Sequence, residues 1–135
     1  MITTSTIRVR SHRDLIVWQK GMDLVDEIYD LAGELPLEER FGLRSQFTRA
    51  AVSVPSNIAE GRARSTSKDF ANFLIIATGS LMEIDTLLEV AIRRQFVTED
   101  KAARAFSLLT EVSKMLTVLH ARIRTRKGSR FVPGH

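Results

Sequence analysis

Residues 67–94, SKDFANFLIIATGSLMEIDTLLEVAIRR, decide the fold of this chain. Apolar side chains recur in this stretch at steps of three and four, which is the spacing of one face of an α-helix. Thr66 or Ser67 can cap the helix, and we predict that it ends near Arg94. The apolar face consists of Phe70, Phe73, Leu74, Ala77, Leu81, Ile84, Leu88 and Ala91.

The same periodicity predicts three further helices. Asp14 can cap the first of them, and Gly61 supplies the glycine that commonly follows a helix such as the second. Thr98 opens the last helix, and Gly128 marks its end. The first and second helices cover about residues 15–35 and 39–60.

Four amphipathic helices joined by short connections predict an all-α fold, an antiparallel up-and-down four-helix bundle. We place the bundle at residues 14–127, between a basic N-terminal arm at 1–13 and a C-terminal tail at 128–135. A single domain is expected because the chain has 135 residues, of which 44% are hydrophobic and 27% charged.

The composition excludes several classes of protein. The chain has no cysteine, which rules out a disulfide framework and a cysteine nucleophile and fits a reducing compartment. The arginines near the N-terminus are not followed by an apolar segment, so no secretory signal is recognised. The longest apolar run, residues 73–77, is far below the roughly 20 residues of a membrane span. We therefore expect a cytoplasmic protein that does not cross a membrane.

The net charge of +4 is unevenly distributed along the chain. Residues 1–13 contain three arginines, residues 112–135 contain six lysines or arginines, and neither segment contains an acidic residue. The remainder holds 11 of the 20 basic residues against all 16 acidic ones. An acidic body with basic ends favours contact with an anionic partner, either nucleic acid or an acidic face of another subunit. Solvated termini are the alternative.

We predict that the protein binds RNA or DNA through these basic ends. Phosphate attraction dominates in this hypothesis, because Phe131 is the only aromatic residue available for base stacking in the basic segments. The competing hypothesis is a protein-interaction scaffold without a role in nucleic-acid binding. The candidate nucleic-acid-binding residues are Arg8, Arg10, Arg13, Arg122, Arg124, Arg126, Lys127 and Arg130.

A line of polar residues follows one narrow arc of the second helix, beside its apolar stripe. Amides, hydroxyls and an ion-pairing couple at such a boundary are suited to hydrogen bonds between helices. The turn near Arg64 brings Arg49 level with Gly79, so that Glu83 lies within reach of Arg49. We therefore predict an interhelical polar network with a buried Arg49–Glu83 ion pair, made of Gln46, Arg49, Ser53, Asn57, Glu60, Ser80 and Glu83.

Catalysis is the alternative interpretation of the same residues. Paired carboxylates can act as general acid and base, but the predicted register places Glu60 and Glu83 several turns apart. A di-metal site in a bundle needs Glu-x-x-His pairs, which His12, His120 and His135 do not form. No phosphate-binding loop, dinucleotide fingerprint or catalytic triad is found. The sequence thus predicts a protein that is not an enzyme and that holds no cofactor and no metal.

Ile75 and Met82 lie one heptad apart on the third helix, outside its main apolar arc. They are candidates for a subunit interface, and the alternative is that they are isolated exposed apolar residues.

Several strings of sequence carry a resemblance to a known family. They are DLIVWQK at 14–20, PLEERFGL at 36–43, QFTRAAVSVPSNIAEG at 46–61 and FANFLIIATGSLME at 70–83. Together they resemble the bacterial four-helix bundle protein family, which includes the proteins encoded in intervening sequences of 23S ribosomal RNA genes. The resemblance covers roughly residues 14–124. Gly21 stands where members of this family often have alanine.

The resemblance implies a ring-like homopentamer of four-helix protomers. It also implies kinship with the accessory protein of diversity-generating retroelements, which binds nucleic acid and a reverse transcriptase. The residues of the predicted polar network correspond to structural positions of the family, and no active site accompanies them.

Overall fold

The computed structural model describes residues 11–125, and within them all regular structure is helical. Four long helices follow one another, α1 Ile16–Gly33, α2 Leu43–Arg62, α3 Ser67–Arg93 and α4 Glu99–Arg124. Two short 3-10 helices, His12–Asp14 and Leu37–Glu39, precede α1 and α2. The predicted end of the last helix at Gly128 lies outside the described residues.

The four helices surround one hydrophobic core. Helix α1 packs against α2 and α4, and α3 packs against α2 and α4, while the diagonal pairs of described helices are not in contact. This cycle of neighbours is that of a four-helix bundle. Each large aliphatic or aromatic side chain in the core contributes about 1.5 to 3 kcal/mol by leaving water. The largest fully buried ones include Leu24, Ile28, Phe47, Ile58, Phe70, Leu74, Leu81, Leu88 and Leu116.

Three ion pairs connect α1 with α4 on the surface of the bundle. Two of them join an α1 residue to an α4 residue, the third joins Glu34, the residue after α1, to α4, and all the side chains are partly or largely exposed. Their nitrogen–oxygen distances are 3.5 Å for Lys20–Glu111, 3.6 Å for Arg104–Glu27 and 2.9 Å for Lys101–Glu34.

Arg44 of α2 supports the end of α1. Its Nε donates to the carbonyl of Ala32 at 2.9 Å, and its Nη2 donates to the carbonyl of Leu35 at 3.2 Å. The last carbonyls of a helix lack partners within the helix and carry partial negative charge, which a guanidinium complements. Arg44 therefore ties the α1–α2 connection to the bundle.

The threonine caps follow the prediction. Thr66 Oγ1 accepts from the amide of Asp69 at 3.2 Å and begins α3, and Thr98 Oγ1 accepts from the amide of Lys101 at 3.1 Å and begins α4. The predicted cap of α1 is wrong. Asp14 lies in the first 3-10 helix, and Leu15 occupies the N-cap position of α1 without a side-chain hydrogen bond.

Helix α2 is displaced toward the C-terminus relative to the prediction. It begins at Leu43, whose amide donates to Glu39 Oε1 at 3.3 Å, so Glu39 precedes the helix instead of starting it. Gly61 lies inside α2 and is buried. A Cβ at this position would come within 2.8 Å of Phe73 Cβ and 2.9 Å of Phe70 Cδ1. The glycine is therefore required for the close approach of α2 and α3, and it does not end the helix.

Candidate nucleic-acid interface and the α2–α3 cleft

A chain of hydrogen bonds joins α2 to α3. Asn57 Nδ2 donates to Ser53 Oγ at 2.9 Å and to the Ser53 carbonyl at 2.7 Å. Ser53 Oγ and Ser80 Oγ are 2.7 Å apart, and Ser80 Oγ donates to the carbonyl of Ile76 at 3.3 Å. Because Ser80 uses its proton on Ile76, the Ser53 hydroxyl is the donor to Ser80 in a consistent assignment. The hydrogen bonds therefore run in one direction, from Asn57 to Ser53, from Ser53 to Ser80 and from Ser80 to the carbonyl of Ile76.

Beside these serines lies an open cleft of about 340 Å³ between α2 and α3. Its lining consists of small or polar side chains together with one cation and one anion. The lining residues are Gln46, Arg49, Ala50, Ser53, Ser80 and Glu83.

The predicted buried ion pair between Arg49 and Glu83 is wrong. Both side chains line the cleft, but both are exposed, and the ion pairs formed within residues 11–125 do not include this one. At an exposed rim, water solvates both charges, and holding two long side chains together costs conformational entropy for little Coulombic gain. The cleft therefore presents an unpaired cation and an unpaired anion to solvent.

Glu60 does not share a hydrogen bond with the serine chain. It pairs with Arg64 one turn later on the chain, at 3.7 Å, and the Arg64 guanidinium lies 4.6 Å from the centre of the Phe73 ring. Gln46 stands exposed at the other end of the cleft. The structure therefore brings the central serines and Asn57 together, and it leaves the outer members of the predicted network at the surface.

The chemistry available in the cleft is hydrogen bonding and charge attraction. The partners of the Ser53 and Ser80 hydroxyls are an amide, another hydroxyl and a backbone carbonyl, none of which is a general base. No cluster of three or more potential metal ligands occurs among residues 11–125. In the same part of the chain, no helix is long and apolar enough to span a membrane.

Three of the predicted nucleic-acid-binding residues lie in the described part of the chain. Arg13 is exposed in the first 3-10 helix, and its guanidinium carbon lies 5.7 Å from the centre of the Trp18 ring. Arg122 and Arg124 are exposed in the last turn of α4. The other candidates lie outside the described residues, namely Arg8, Arg10, Arg126, Lys127 and Arg130.

Two further exposed cations flank the connection between α2 and α3. Neither Arg64 nor Lys68 is among the predicted nucleic-acid-binding residues, although both belong to the basic stretch at residues 61–68, which is the sequence signal for them. Arg62, on the same stretch, is buried, and its burial lowers the pKa of the guanidinium below the ordinary arginine value. Arg62 therefore belongs to the interior of the bundle, whereas Arg64 and Lys68 face solvent.

Four packed helices with a polar interhelical cleft and exposed arginines at helix ends define an all-helical bundle protein without a recognised catalytic centre among its described residues. The chain belongs to the 23S rRNA-intervening sequence protein family, whose model matches residues 13–118. This match confirms the resemblance noted in the sequence.

A solved structure with a similar fold comes from Bacteroides thetaiotaomicron, a protein of unknown function from the S23 ribosomal protein family. It is 27% identical to this chain, with a TM-score of 0.72 over 78% of this chain and 98% of that one. Neither description names an enzyme. A search of the curated proteins found no match.

Proposed function

We propose that this protein is a non-enzymatic, cytoplasmic homo-oligomer that binds RNA or DNA through exposed basic residues at one end of its helical bundle. The observation that carries the proposal is the exposure of cations at the start of α1, at the α2–α3 connection and at the end of α4. These residues are Arg13, Arg64, Lys68, Arg122 and Arg124.

An antiparallel up-and-down arrangement of the helices brings these cations to one end. Pairs between neighbouring helices support it, because residue numbers rise on one helix as they fall on the other. Between α1 and α4 the pairs are 20 with 111, 27 with 104 and 34 with 101. Between α2 and α3, 53 pairs with 80, and residue 64, two positions after α2, contacts 73. This arrangement puts Ser11 and Thr125, the first and last described residues, at the same end.

Phosphate is the group that such an end recognises. Guanidinium and ammonium groups attract the nucleic-acid backbone and release its counterions, which gives affinity with little sequence preference. Trp18 and Phe73 are the aromatic residues beside these cations, and each already contacts an arginine side chain of its own chain. Backbone contact therefore fits the surface better than base stacking does.

Assembly into a ring would multiply this contact. The family resemblance implies a homopentamer, and several weak basic ends on one ring bind a long polyanion with much higher avidity than one end alone. The resemblance also makes a reverse transcriptase the first protein partner to test.

The proposal is tested with fluorescence anisotropy on generic RNA and DNA oligonucleotides over a salt series. The test variant replaces Lys68, Arg122 and Arg124 by glutamine, and the control replaces Arg40, Arg93 and Arg94, three exposed arginines near the other ends of the helices. Each phosphate contact contributes about −0.9 to the slope of log affinity against log salt on duplex DNA. Because three cations are replaced, we expect the slope of the test variant to be less steep by up to about 2.7. The control should keep the slope of the unmodified protein.

Equal losses in both variants would contradict a site at this end. Absence of binding at low salt, together with recovery of a protein partner in a pull-down treated with nuclease, would favour the scaffold hypothesis instead.

A further inference from the structure

Helix α3 carries an exposed apolar face that no part of the described chain covers. Ile75, Ile76 and Met82 are 57%, 50% and 49% exposed within two turns of one another. Gly79 lies between them, and nothing occurs within 4 Å of the position where its Cβ would stand. A glycine weakens the interior of a helix relative to alanine, and no contact within this chain requires it here. The α3 face, defined by these four residues, therefore has the shape of a contact for another helix.

Helix α4 has the complementary shape. Apart from Lys114, its exposed face is built from small side chains, and a shallow groove of about 560 Å³ runs along part of it. Phe106 is half-buried in the groove, and Glu111 and Lys114 border it. Small side chains on α4 let a second helix approach closely, and this space can accommodate the bulky side chains of the α3 face. The exposed residues of this α4 face are Ala103, Ser107, Thr110, Lys114, Thr117 and Ala121.

The charges of the two faces are also complementary. Between Asp69 and Arg93, α3 contains three acidic residues and no basic one. These acids, Glu83, Asp85 and Glu89, form no ion pair within residues 11–125. On α4, Lys101 pairs with Glu34 just after α1, Arg104 pairs with Glu27 of α1, and Glu111 pairs with Lys20 of α1. The first turn of α4 also holds two unpaired acids, Glu99 and Asp100, and beyond that turn its unpaired charges in the described chain are cationic, at Lys114, Arg122 and Arg124.

We propose that the α3 face of one copy of this chain packs against the α4 face of the next copy. The inference rests on the proposed homo-oligomer and names the surfaces that build it. Because the two faces are different, the contact is head-to-tail, and repeating it produces a closed ring when the rotation between copies closes. A two-fold dimer, in which α3 meets α3, does not use the complementarity of size and charge.

The absence of cysteine allows a direct test by cross-linking. Single-cysteine variants are made on α3 (Ile75→Cys or Met82→Cys) and on α4 (Ser107→Cys or Thr110→Cys). One of each is mixed, unfolded and refolded together, and then treated with a bifunctional maleimide. We expect chains linked in pairs in at least one α3–α4 mixture, and little linking when any variant is treated alone. Tyr29→Cys, on an exposed position of α1, replaces the α3 variant in the control mixture.

Light scattering provides a second measurement. We expect Met82→Glu to shift the mass toward the 15.2 kDa of a single chain, because a carboxylate would be buried in the contact. Tyr29→Glu is the matched control and should keep the mass of the unmodified protein.

The outcomes separate the two proposals. A mass of 15.2 kDa for the unmodified protein at every concentration contradicts the homo-oligomer itself. An oligomer that survives Met82→Glu and gives no α3–α4 links overturns only the assignment of the faces. Strong cross-linking between two copies of the same α3 variant would show that the contact is two-fold and not head-to-tail.

Discussion

Ser53 and Arg49 lie one turn apart on α2 and differ in what their side chains contact. The Ser53 hydroxyl lies within hydrogen-bond distance of both Ser80 and Asn57, whereas the Arg49 guanidinium faces solvent at the rim of the cleft. A half-buried hydroxyl with two partners is costly to remove because its partners lose their hydrogen bonds, while an exposed charge is replaced by water. The serine hydroxyls therefore contribute more to the stability of the α2–α3 boundary than the Arg49 guanidinium does.

Ser53→Ala should lower the free energy of unfolding by about 1 kcal/mol, since it leaves Asn57 and Ser80 short of a partner. Arg49→Ala should change it by no more than about 0.5 kcal/mol. Urea denaturation at a fixed protein concentration measures both, because assembly makes the apparent stability concentration-dependent. In a double-mutant cycle, Arg49→Ala and Glu83→Ala should be additive, and a coupling energy above about 1 kcal/mol would show that the two charges do pair.

Two buried glycines should respond in opposite ways to alanine. Gly61→Ala places a Cβ 2.8 Å from Phe73 Cβ, which has no freedom to rotate away, so we expect a loss of about 1 to 3 kcal/mol. Gly21→Ala is the matched control, since its Cβ would be 3.6 Å from Val54 Cγ1 and 3.7 Å from Pro55 Cβ, in ordinary contact. We expect that variant to gain up to about 1 kcal/mol from the helix preference of alanine. Thermal unfolding compares them, and equal effects of the two substitutions would contradict this account of α2–α3 packing.

For individual residues, the sequence predicts hydrogen-bond partners better than it predicts where two helices approach each other closely. The spacing of Ser53 and Asn57 predicts that they lie on one arc of α2 beside its apolar stripe, and the register between the helices predicts that Ser80 of α3 lies near them. The sequence predicts a helix end at Gly61, because a glycine that follows a helix and a glycine packed against a neighbouring helix give the same pattern in the sequence. The position of Phe70 and Phe73 across the boundary decides between the two, and it is a tertiary contact.

Helices α3 and α4 both begin at a threonine whose hydroxyl accepts a hydrogen bond from the third amide of the helix. Thr66→Ala and Thr98→Ala should each lower the free energy of unfolding by about 1 kcal/mol, because an amide of the first turn loses its acceptor. The serine variants keep the hydroxyl and should retain most of the stability. Losses of the same size for alanine and serine would indicate that packing of the threonine methyl, and not the cap, is responsible.

The starts of α3 and α4 follow from their own sequences, and the start of α2 does not. A threonine cap and an apolar repeat are local signals, so both helices begin where predicted. The start of α2 depends on Glu39, which turns back to the Leu43 amide, and on Arg44, which reaches two carbonyls at the end of α1. Hydrogen bonds that long side chains form across a connection leave no periodic pattern in the sequence. The predicted start of α2 therefore lies before the observed one.

For the molecule as a whole, the α1–α4 ion pairs and the cations at the bundle end should respond differently to salt. The three pairs are exposed enough for water and ions to screen them, so raising the salt concentration to half molar should change the free energy of unfolding by less than about 1 kcal/mol. Nucleic-acid affinity should fall steeply over the same range, because each phosphate contact releases counterions. Chemical denaturation with urea, which is uncharged, and anisotropy in matched buffers measure the two quantities. If the free energy of unfolding fell with salt in parallel with the nucleic-acid affinity, this would contradict the predicted difference between the two.

The helical class and the order of the helices were predictable because each helix buries one stripe of its own sequence. The proposed interface was only partly predictable. The charge runs at the two ends of the sequence are visible directly, but the contribution of the α2–α3 connection is proposed from the order of the helices. Arg64 and Lys68 are distant from both termini in sequence, and their role in the proposed interface follows from topology.

Trp18 gives the protein an optical signal at a useful place. It is the only tryptophan in the sequence, and both the Arg13 guanidinium, at 5.7 Å, and the edge-on His12 ring, at 5.1 Å, lie against its indole. Any polyanion that draws the Arg13 guanidinium toward a phosphate changes the electrostatic field at the indole and with it the emission spectrum. Binding of nucleic acid at the proposed interface can therefore be tested by intrinsic fluorescence, with no attached dye and no change to the chain.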